Sequence, residues 1–392
     1  MTSVFEKINW PHEDNKIPRE VFTNEELYQL EMEKIFGGSA WFIVSHEAEI
    51  PNPGDFKTTY IGEIPVIVSR DMKNEIHVLV NACAHRSSQV EVNPCGNSKG
   101  FTCIYHYWTY NLDGTLNSYS MPEDYPADFC KDDYGMTKLK VDVYAGVIFA
   151  SFKHDVMPLK QYLGKLTEVL DFTFPGKMIH FGSQKFVIEC NWKLVAENFY
   201  DGYHATILHK AFQIMKLRGA GGTYWGTGWN GYHSMLEILS KDLTEESKNA
   251  FHDSSVFETR TKTKDENEIY KNWLIFIFPG SAVNDQFDLK TIRRIIPRGV
   301  NRTELHLTYF GVEGEPEELT RQRIRQGSNL YGPAGFVTME DGVAFERMQR
   351  AAIARGSHTW LKGTVKQNPP YRLVDEAHMG AFYQGYRKML GV

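Results

Sequence analysis

No apolar run in this chain approaches the roughly 18 residues that a membrane span needs, so no bilayer-crossing helix is expected. There is no Lys/Arg-rich block either: 43 basic residues stand against 49 acidic ones, and the net charge is −6. That balance argues against a nucleic-acid partner. The first fifteen residues are polar and lack the apolar core of a secretory signal, so a cytoplasmic location is expected. No Gly-x-Gly-x-x-Gly is expected between a strand and a helix, so no dinucleotide site is expected in this chain. Cysteine is scarce, with five residues in 392. An odd number without framework spacing argues against a disulfide scaffold. Cys95, Cys130 and Cys190 are therefore expected as free thiols. What remains is a globular chain of about two domains.

The other two cysteines have histidine neighbours. Cys83-Ala84-His85 and Cys103-Ile104-Tyr105-His106 are two mixed Cys/His pairs on separate loops. Two thiolates and two imidazoles are the ligand set of a Rieske [2Fe–2S] cluster. Replacing anionic thiolate by neutral imidazole makes such a cluster easier to reduce. Zinc also accepts Cys₂His₂, but zinc fingers usually pair Cys with Cys and His with His. The order C-x-H then C-x-x-H favours the iron–sulfur reading.

The flanks Asn81-Ala82-Cys83-Ala84-His85-Arg86 and Cys103-Ile104-Tyr105-His106-Tyr107-Trp108-Thr109-Tyr110, followed by Asp113-Gly114, resemble the N-terminal domain of Rieske non-heme iron oxygenases, the ring-hydroxylating large subunits. Ser87 and Tyr107 stand where that pattern often has Gly, and Ile104 where Pro is frequent. No ligand is lost, so the expected effect is on loop packing or potential. The resemblance implies an α+β fold. An N-terminal antiparallel β domain carries the cluster, and a C-terminal catalytic domain has a twisted antiparallel sheet gripping helices. The expected domains are an N-terminal helical segment at 1–38, the Rieske domain at 39–155 and the catalytic domain at 156–392.

Pattern supports the outline. Thr23-Asn24-Glu25-Glu26 is a helix start before the apolar spacing of Leu27, Leu30, Met32 and Ile35, and this helix is expected on the outside of the Rieske domain. Short β-rich runs follow at 41–44, 56–61, 65–69, 76–81, 100–103, 108–111 and 146–152. A helix is expected at 157–172, strands at 181–190, 272–278, 288–296 and 303–310, and helices at 316–330 and 373–390. Residues 218–232, rich in Gly, Trp and Tyr, read either as a lid or as a plain surface loop.

The segment from Asn191 to His209 is expected to be helical over most of its length and holds His204 and His209. Five residues on an α-helix turn about 500°, leaving the two side chains roughly 140° apart. For both to reach one ion the helix must end, loosen or bulge between them. Two His and a carboxylate form the facial triad of non-heme Fe(II) oxygenases. The resemblance supplies the third ligand: Gly332-Pro333-Ala334-Gly335-Phe336-Val337-Thr338-Met339-Glu340-Asp341, followed by Glu346 and Gln349, resembles the segment ending in that carboxylate. The match falls on Asp341, with Glu340 as the alternative. Asp201 lies three residues before His204, where a helix would place both on one face. The resemblance gives it a catalytic role, bonding His204 on its own chain and His106 on a neighbouring one.

Further expectations rest on the resemblance alone. The mononuclear iron and the cluster are the cofactors. Asn198, Phe199, Arg293, Tyr331 and Val337 are the substrate contacts. The wording of 51–56, 332–336 and 386–388 is similar to large subunits acting on aromatic acids, of the terephthalate dioxygenase and salicylate hydroxylase type. That implies hydroxylation, most often cis-dihydroxylation, of an aromatic acid with O₂ and NADH-derived electrons. It also implies a separate reductase with or without a ferredoxin, a small β subunit, and an α₃ or α₃β₃ assembly. A monooxygenase or demethylase would carry the same metal sites. An electron-transfer Rieske protein would lack the mononuclear iron. Arg293 and Arg294 point to opposite sides of their strand, so one faces inward. Arg293 as a carboxylate binder competes with a core Arg paired to Asp285 or Glu304. A second Arg found near position 380 in terephthalate-type relatives is missing, which argues against a dicarboxylate.

Overall fold

The computed structural model describes residues 4, 8–11, 13, 15–214, 221–227, 231–240, 270–286, 289–360, 371–372 and 376–391. The chain divides into two compact units, residues 36–159 and residues 1–35 with 160–392. Among the described residues no helix is long and apolar enough to cross a membrane. All five cysteines are free.

The first unit is built from small antiparallel sheets. Ile76–Val80, Ile64–Arg70, Asp55–Ile61 and Cys95–Asn97 form a four-stranded sheet in that order. Two three-stranded sheets accompany it, one of Lys140–Tyr144, Val147–Ser151 and Phe42–His46, the other of Phe101–Thr102, Thr109–Tyr110 and Leu116–Ser118. The β-branched Ile64, Val66, Ile67 and Val68 suit a pleated sheet, and the last three are fully buried. Its hairpin closes at Ile61↔Ile64 through Gly62, whose φ of 56° is easy only for glycine. Phe56, Ile67, Leu79, Phe101, Trp108 and Tyr110 form a core that also takes in Cys83 and Cys103. Strands 95–97 and 116–118 are too short to be legible in sequence, whereas 140–144 was missed although Lys-Val-Asp-Val-Tyr alternates.

The second unit holds an eight-stranded antiparallel sheet. Its order is Met178–Ile188, Thr303–Val312, Leu289–Pro297, Ser281–Gln286, Tyr270–Ile277, His233–Ser240, Gly221–Thr227 and Tyr371–Arg372. Helices Trp192–Tyr200, Glu317–Tyr331, Phe336–Ala351 and Ala377–Leu390 belong to the same unit. Trp192–Tyr200 packs against Phe336–Ala351, against Ala377–Leu390 and against the Leu289–Pro297 strand.

Several expectations need correction. The helix Glu25–Glu31 belongs to the second unit, not to the Rieske unit. Glu31 is fully buried there, accepting from Lys193 Nζ and Trp192 Nε1, both at 2.7 Å, and from the Tyr386 hydroxyl. The periodicity gave the helix correctly but not its docking partner, because the buried Glu was not read as an anchor. The single helix at 157–172 is two, Leu159–Leu163 and Leu166–Thr173, split at Gly164 with φ 56°. The long helix from Asn191 stops at Tyr200. In the stretch read as a lid or loop, residues 221–227 form a strand, while 218–220 and 228–230 lie outside the described residues.

Candidate metal centres

The two Cys/His loops of the first unit share one backbone design. In the first, Ser87 N donates to Cys83 O at 2.9 Å and Cys83 N to Ser88 O at 2.8 Å. In the second, Tyr107 N donates to Cys103 O at 3.0 Å and Cys103 N to Trp108 O at 2.8 Å. Each loop reverses at a left-handed residue, Ser87 at φ 57° and Tyr107 at φ 58°. These are the two positions where the family pattern has Gly, and the geometry explains why: only Gly adopts that conformation without steric cost. Cys83 and Cys103 are buried, and the rings of His85 and His106 meet with centroids 4.5 Å apart. Trp108 stacks on His85 at 5.1 Å and 14°, and its indole N–H donates to Tyr125.

Among the described residues, His204–His209–Asp341 and Asp71–Glu75–His77 are the groups whose donor atoms all converge within 4.8 Å, and no three of the four cluster residues form one. A lone tetrahedral zinc would draw its four ligands into such a group. Two buried thiols and two imidazoles spread more widely fit a two-iron cluster, with His on one iron and Cys on the other.

A residue passed over in sequence is Tyr110. Its hydroxyl oxygen accepts from Ala84 N at 3.0 Å and lies 3.1 Å from Cys83 Sγ. A thiol could donate in this contact, but a cluster-ligating thiolate has no proton to give, and toward it the phenol is the donor. Burial and the neighbouring sulfur push this phenol well above its usual pKa, so the proton stays in place. The available signal was an aromatic in the strand directly after C-x-x-H.

In the second unit the Trp192–Tyr200 helix starts at Asn191, whose side chain accepts from Lys193 N. It ends at Asp201, which has extended φ and ψ of −109° and 112°. A one-turn helix, Ala205–Leu208, then runs between the two histidines, with His204 at its N-cap and His209 at its C-cap. The spacing problem is solved by ending the long helix early and placing one ligand at each end of a single turn. No bulge is needed. Asp201 reaches His204 across this loop rather than along a helix face.

Asp341 comes from the Phe336–Ala351 helix. Gly332 and Gly335 let this helix follow closely on Glu317–Tyr331: a Cβ on Gly335 would lie 2.6 Å from the Leu330 backbone, and one on Gly332 2.5 Å from Ser328 O. Asp341 Oδ1 is 3.7 Å from His204 Nε2 and 3.6 Å from His209 Nε2. The other ring nitrogens bond outward, His204 Nδ1 donating to Asp201 Oδ2 at 3.0 Å and His209 Nδ1 to Glu340 Oε2 at 3.1 Å. A carboxylate only accepts, so each ring carries its proton on Nδ1 and aims its Nε2 lone pair at the shared space. Glu340, the alternative ligand, therefore lies behind His209 rather than beside Asp341. Burial, aided by His204 and Arg293, pushes His209 down to about 3, and the ring stays neutral. Burial resists charging His204, but the Asp201 hydrogen bond and the nearby Asp341 outweigh it and hold this ring above its usual range. Burial pushes Asp341 up to about 6. Two imidazoles and one carboxylate on one side of an ion fit Fe(II) with open positions.

Of the expected substrate contacts, Asn198 sits at the triad, its Nδ2 donating to His204 Nε2 at 3.0 Å and to Asp341 Oδ1 at 3.2 Å. Phe199 is buried and stacks on Phe276 at 5.9 Å. Val337 is buried in the first turn of the Asp341 helix. Arg293 lies over the Tyr331 ring at 4.2 Å, and the Tyr331 hydroxyl bonds Gln286.

The comparisons with known proteins agree with this geometry. Residues 40–127 match the Rieske [2Fe–2S] domain, and residues 174–391 match the ring hydroxylating alpha subunit catalytic domain. The anthranilate 1,2-dioxygenase large subunit of Burkholderia cepacia is 33% identical, covering 98% of this chain and 96% of its own. The salicylate 5-hydroxylase large oxygenase component of Ralstonia sp. is also 33% identical, covering 97% and 96%. Naphthalene 1,2-dioxygenase from Rhodococcus sp., solved with indole bound, has the same fold, with a TM-score of 0.81 at 24% identity over 96% of this chain and 95% of that one. A cluster-binding β domain followed by a sheet-and-helix domain of the kind that binds mononuclear iron places this chain in the alpha subunits of the Rieske non-heme iron aromatic-ring-hydroxylating oxygenases.

Proposed function

We propose that this chain is the terminal oxygenase large subunit of a system that hydroxylates an aromatic acid with O₂ and NADH-derived electrons, most readily by cis-dihydroxylation. Cys83, His85, Cys103 and His106 hold the cluster, and His204, His209 and Asp341 hold the mononuclear iron. When bound, the iron supplies the site at which O₂ is activated, and the cluster supplies an electron that one iron cannot hold. As in a multicomponent system, a separate reductase, with or without a ferredoxin, delivers the electrons. Asp201 is the link in an α₃ or α₃β₃ assembly, bonding His204 on its own chain and His106 on the next. Its side chain is 22% exposed, which leaves it reachable.

The observation that carries the substrate class is Arg293. Its strand partners put it on the same sheet face as Asn284, whose Oδ1 accepts from Nη2 at 3.0 Å and Nε at 3.3 Å while Nδ2 donates to Val283 O. Tyr331 covers the guanidinium plane. Both groups are neutral. The carboxylates that would explain a core Arg are engaged elsewhere: Asp285 with Lys290 at 2.6 Å, and Glu304 with Arg298 at 2.9 Å and His306 at 2.8 Å. Among the described residues no carboxylate forms an ion pair with Arg293, yet its charge is near enough to help lower His209 and to offset part of the burial that raises Asp341. A guanidinium fork held by neutral groups beside the triad suits a substrate carboxylate. Arg293→Leu should reduce turnover of benzoate-type substrates about a hundredfold, the equivalent of a charged hydrogen bond of about 3 kcal/mol. Wild-type turnover of a neutral arene by this variant, with benzoates refused by both proteins, would remove the aromatic-acid assignment.

The relative that is a salicylate 5-hydroxylase supports a second reading, monohydroxylation at the same metals. Product analysis under ¹⁸O₂ separates the two, with two labelled oxygens for a dihydrodiol and one for a phenol.

A further inference from the structure

We infer that Glu340 is a positioning residue for the mononuclear metal. It fixes the tautomer and ring direction of His209, and through its neighbour Asp341 it sets the separation of two ligands. The inference rests on the proposed ligand set His204, His209 and Asp341.

Consecutive side chains on an α-helix diverge by about 100°. Glu340 and Asp341 therefore cannot both face one ion. Asp341 Oδ1 faces the Nε2 atoms of both histidines. Glu340 passes to the far side of the His209 ring, where Oε2 accepts from Nδ1 at 3.1 Å. Its second oxygen, Oε1, accepts from Lys210 N at 3.0 Å, the backbone N–H directly after His209. Both oxygens are thus committed to one stretch of chain some 130 residues away in sequence. A helical surface Glu without a task would leave its carboxylate in water.

The consequence for the ring is chemical. An ionised carboxylate has no proton to give, so the contact at Nδ1 requires the imidazole to be the donor there. Nε2 is then the bare nitrogen, and a ligand needs that lone pair. His209 is buried, and among the described residues no other hydrogen bond reaches its Nδ1. If Glu340 is lost, the ring gains freedom to rotate and to move its proton.

The consequence for the site is mechanical. The Phe336–Ala351 helix grips His209 through Glu340 and presents Asp341 from the adjacent position. The 3.6 Å approach of Asp341 Oδ1 to His209 Nε2 is therefore set by two successive residues of one helix. His204 is held by a similar device of local origin: Asp201 accepts from His204 Nδ1 with one oxygen and from Tyr203 N with the other, at 3.0 and 2.7 Å.

The test uses the full-length protein with its cluster in place and the mononuclear site cleared by a mild chelator. Co(II) is titrated anaerobically into wild type, Glu340→Gln and Glu340→Ala. Its ligand-field absorption reports the coordination, and the cluster's visible absorption reports an intact fold. Glu340→Gln is nearly isosteric but can accept only one of the two hydrogen bonds. Both variants should bind Co(II) tenfold to a hundredfold more weakly, as when outer-shell partners of ligating histidines are lost, and with an altered ligand-field spectrum. Wild-type affinity and spectrum in both variants would overturn the inference and leave the ligand set standing. A wild-type protein that binds no Co(II) at this site would overturn the ligand set and the inference with it. Should the alanine variant fold poorly, Glu340→Gln decides alone.

Discussion

The cluster loops and the triad solve the same problem on opposite plans. Each cluster loop is a short-range object in which Cys, His and the reversing residue lie within five positions, closed by two backbone hydrogen bonds. The triad is long-range. Its histidines cap a single helical turn, its carboxylate arrives on another helix, and Glu340 ties the two together. In the first plan geometry comes from backbone conformation, at the cost of two left-handed non-glycine residues. In the second it comes from tertiary packing, and the surrounding unit must be rigid enough to hold ligands drawn from distant sequence. A local site is robust to changes elsewhere, whereas an assembled one inherits every weakness of its scaffold.

The sharpest way to break the comparison is at the residue proposed to bond in both regions. Asp201→Asn, with its mononuclear site saturated by added Fe(II), should show normal reduction of the cluster, while cluster reoxidation by substrate and O₂ collapses. Stopped-flow reoxidation at the wild-type rate, or an active monomer, would show that the regions communicate by another route.

Next comes the scaffold of the assembled site. Glu31 is a buried carboxylate satisfied by Lys193, Trp192 and Tyr386. Glu31→Ala leaves Lys193 charged and buried without its partner, which costs about 3–5 kcal/mol. Denaturant unfolding followed by tryptophan fluorescence should show that loss, while the cluster's visible absorption persists to the wild-type midpoint. Equal loss in both signals would mean that the two units unfold as one.

The Tyr110 contact is worth less. Tyr110→Phe removes the hydrogen bond to Cys83 Sγ, and such bonds help to set cluster potentials. A bond worth about 1 kcal/mol corresponds to a fall of roughly 40 mV for a one-electron couple. An unchanged midpoint in a spectroelectrochemical titration would assign the tyrosine a packing role only. An effect of similar size is expected from relieving the strained turns. Ser87→Gly, at φ 57°, should stabilise the first unit by about 1 kcal/mol, readable as a rise in the temperature at which cluster absorption is lost. A fall would show that the side chain contributes more than its backbone conformation costs.

Much of the architecture was visible in residue pattern. The β-rich runs at 56–61, 65–69 and 76–81 mark real strands, and the helices near 316–330 and 373–390 sit within a few residues of Glu317–Tyr331 and Ala377–Leu390. Strands Ser281–Gln286 and His233–Ser240 were missed. Ser281–Gln286 is buried on both faces yet carries Ser, Asn, Asp and Gln, so neither alternation nor an apolar run announces it. Its polar groups are explained only by tertiary partners, such as Lys290 for Asp285, Arg293 for Asn284 and the helical Tyr331 for Gln286.

The sequence by itself determined what is local: the Cys/His spacing of the cluster loops, the pair His204 and His209, and the glycines before Asp341. It also indicated which positions of the loops depart from glycine, though not that both are left-handed. Only the tertiary structure decided which of two adjacent carboxylates faces the histidines, since a helix turns about 100° per residue and the phase is set by packing. Tertiary structure likewise decided that Glu25–Glu31 anchors the second unit, and that Arg293 rather than Arg294 lies over Tyr331 beside the triad. Those choices depend on which distant groups meet, and no short-range pattern in the chain encodes them.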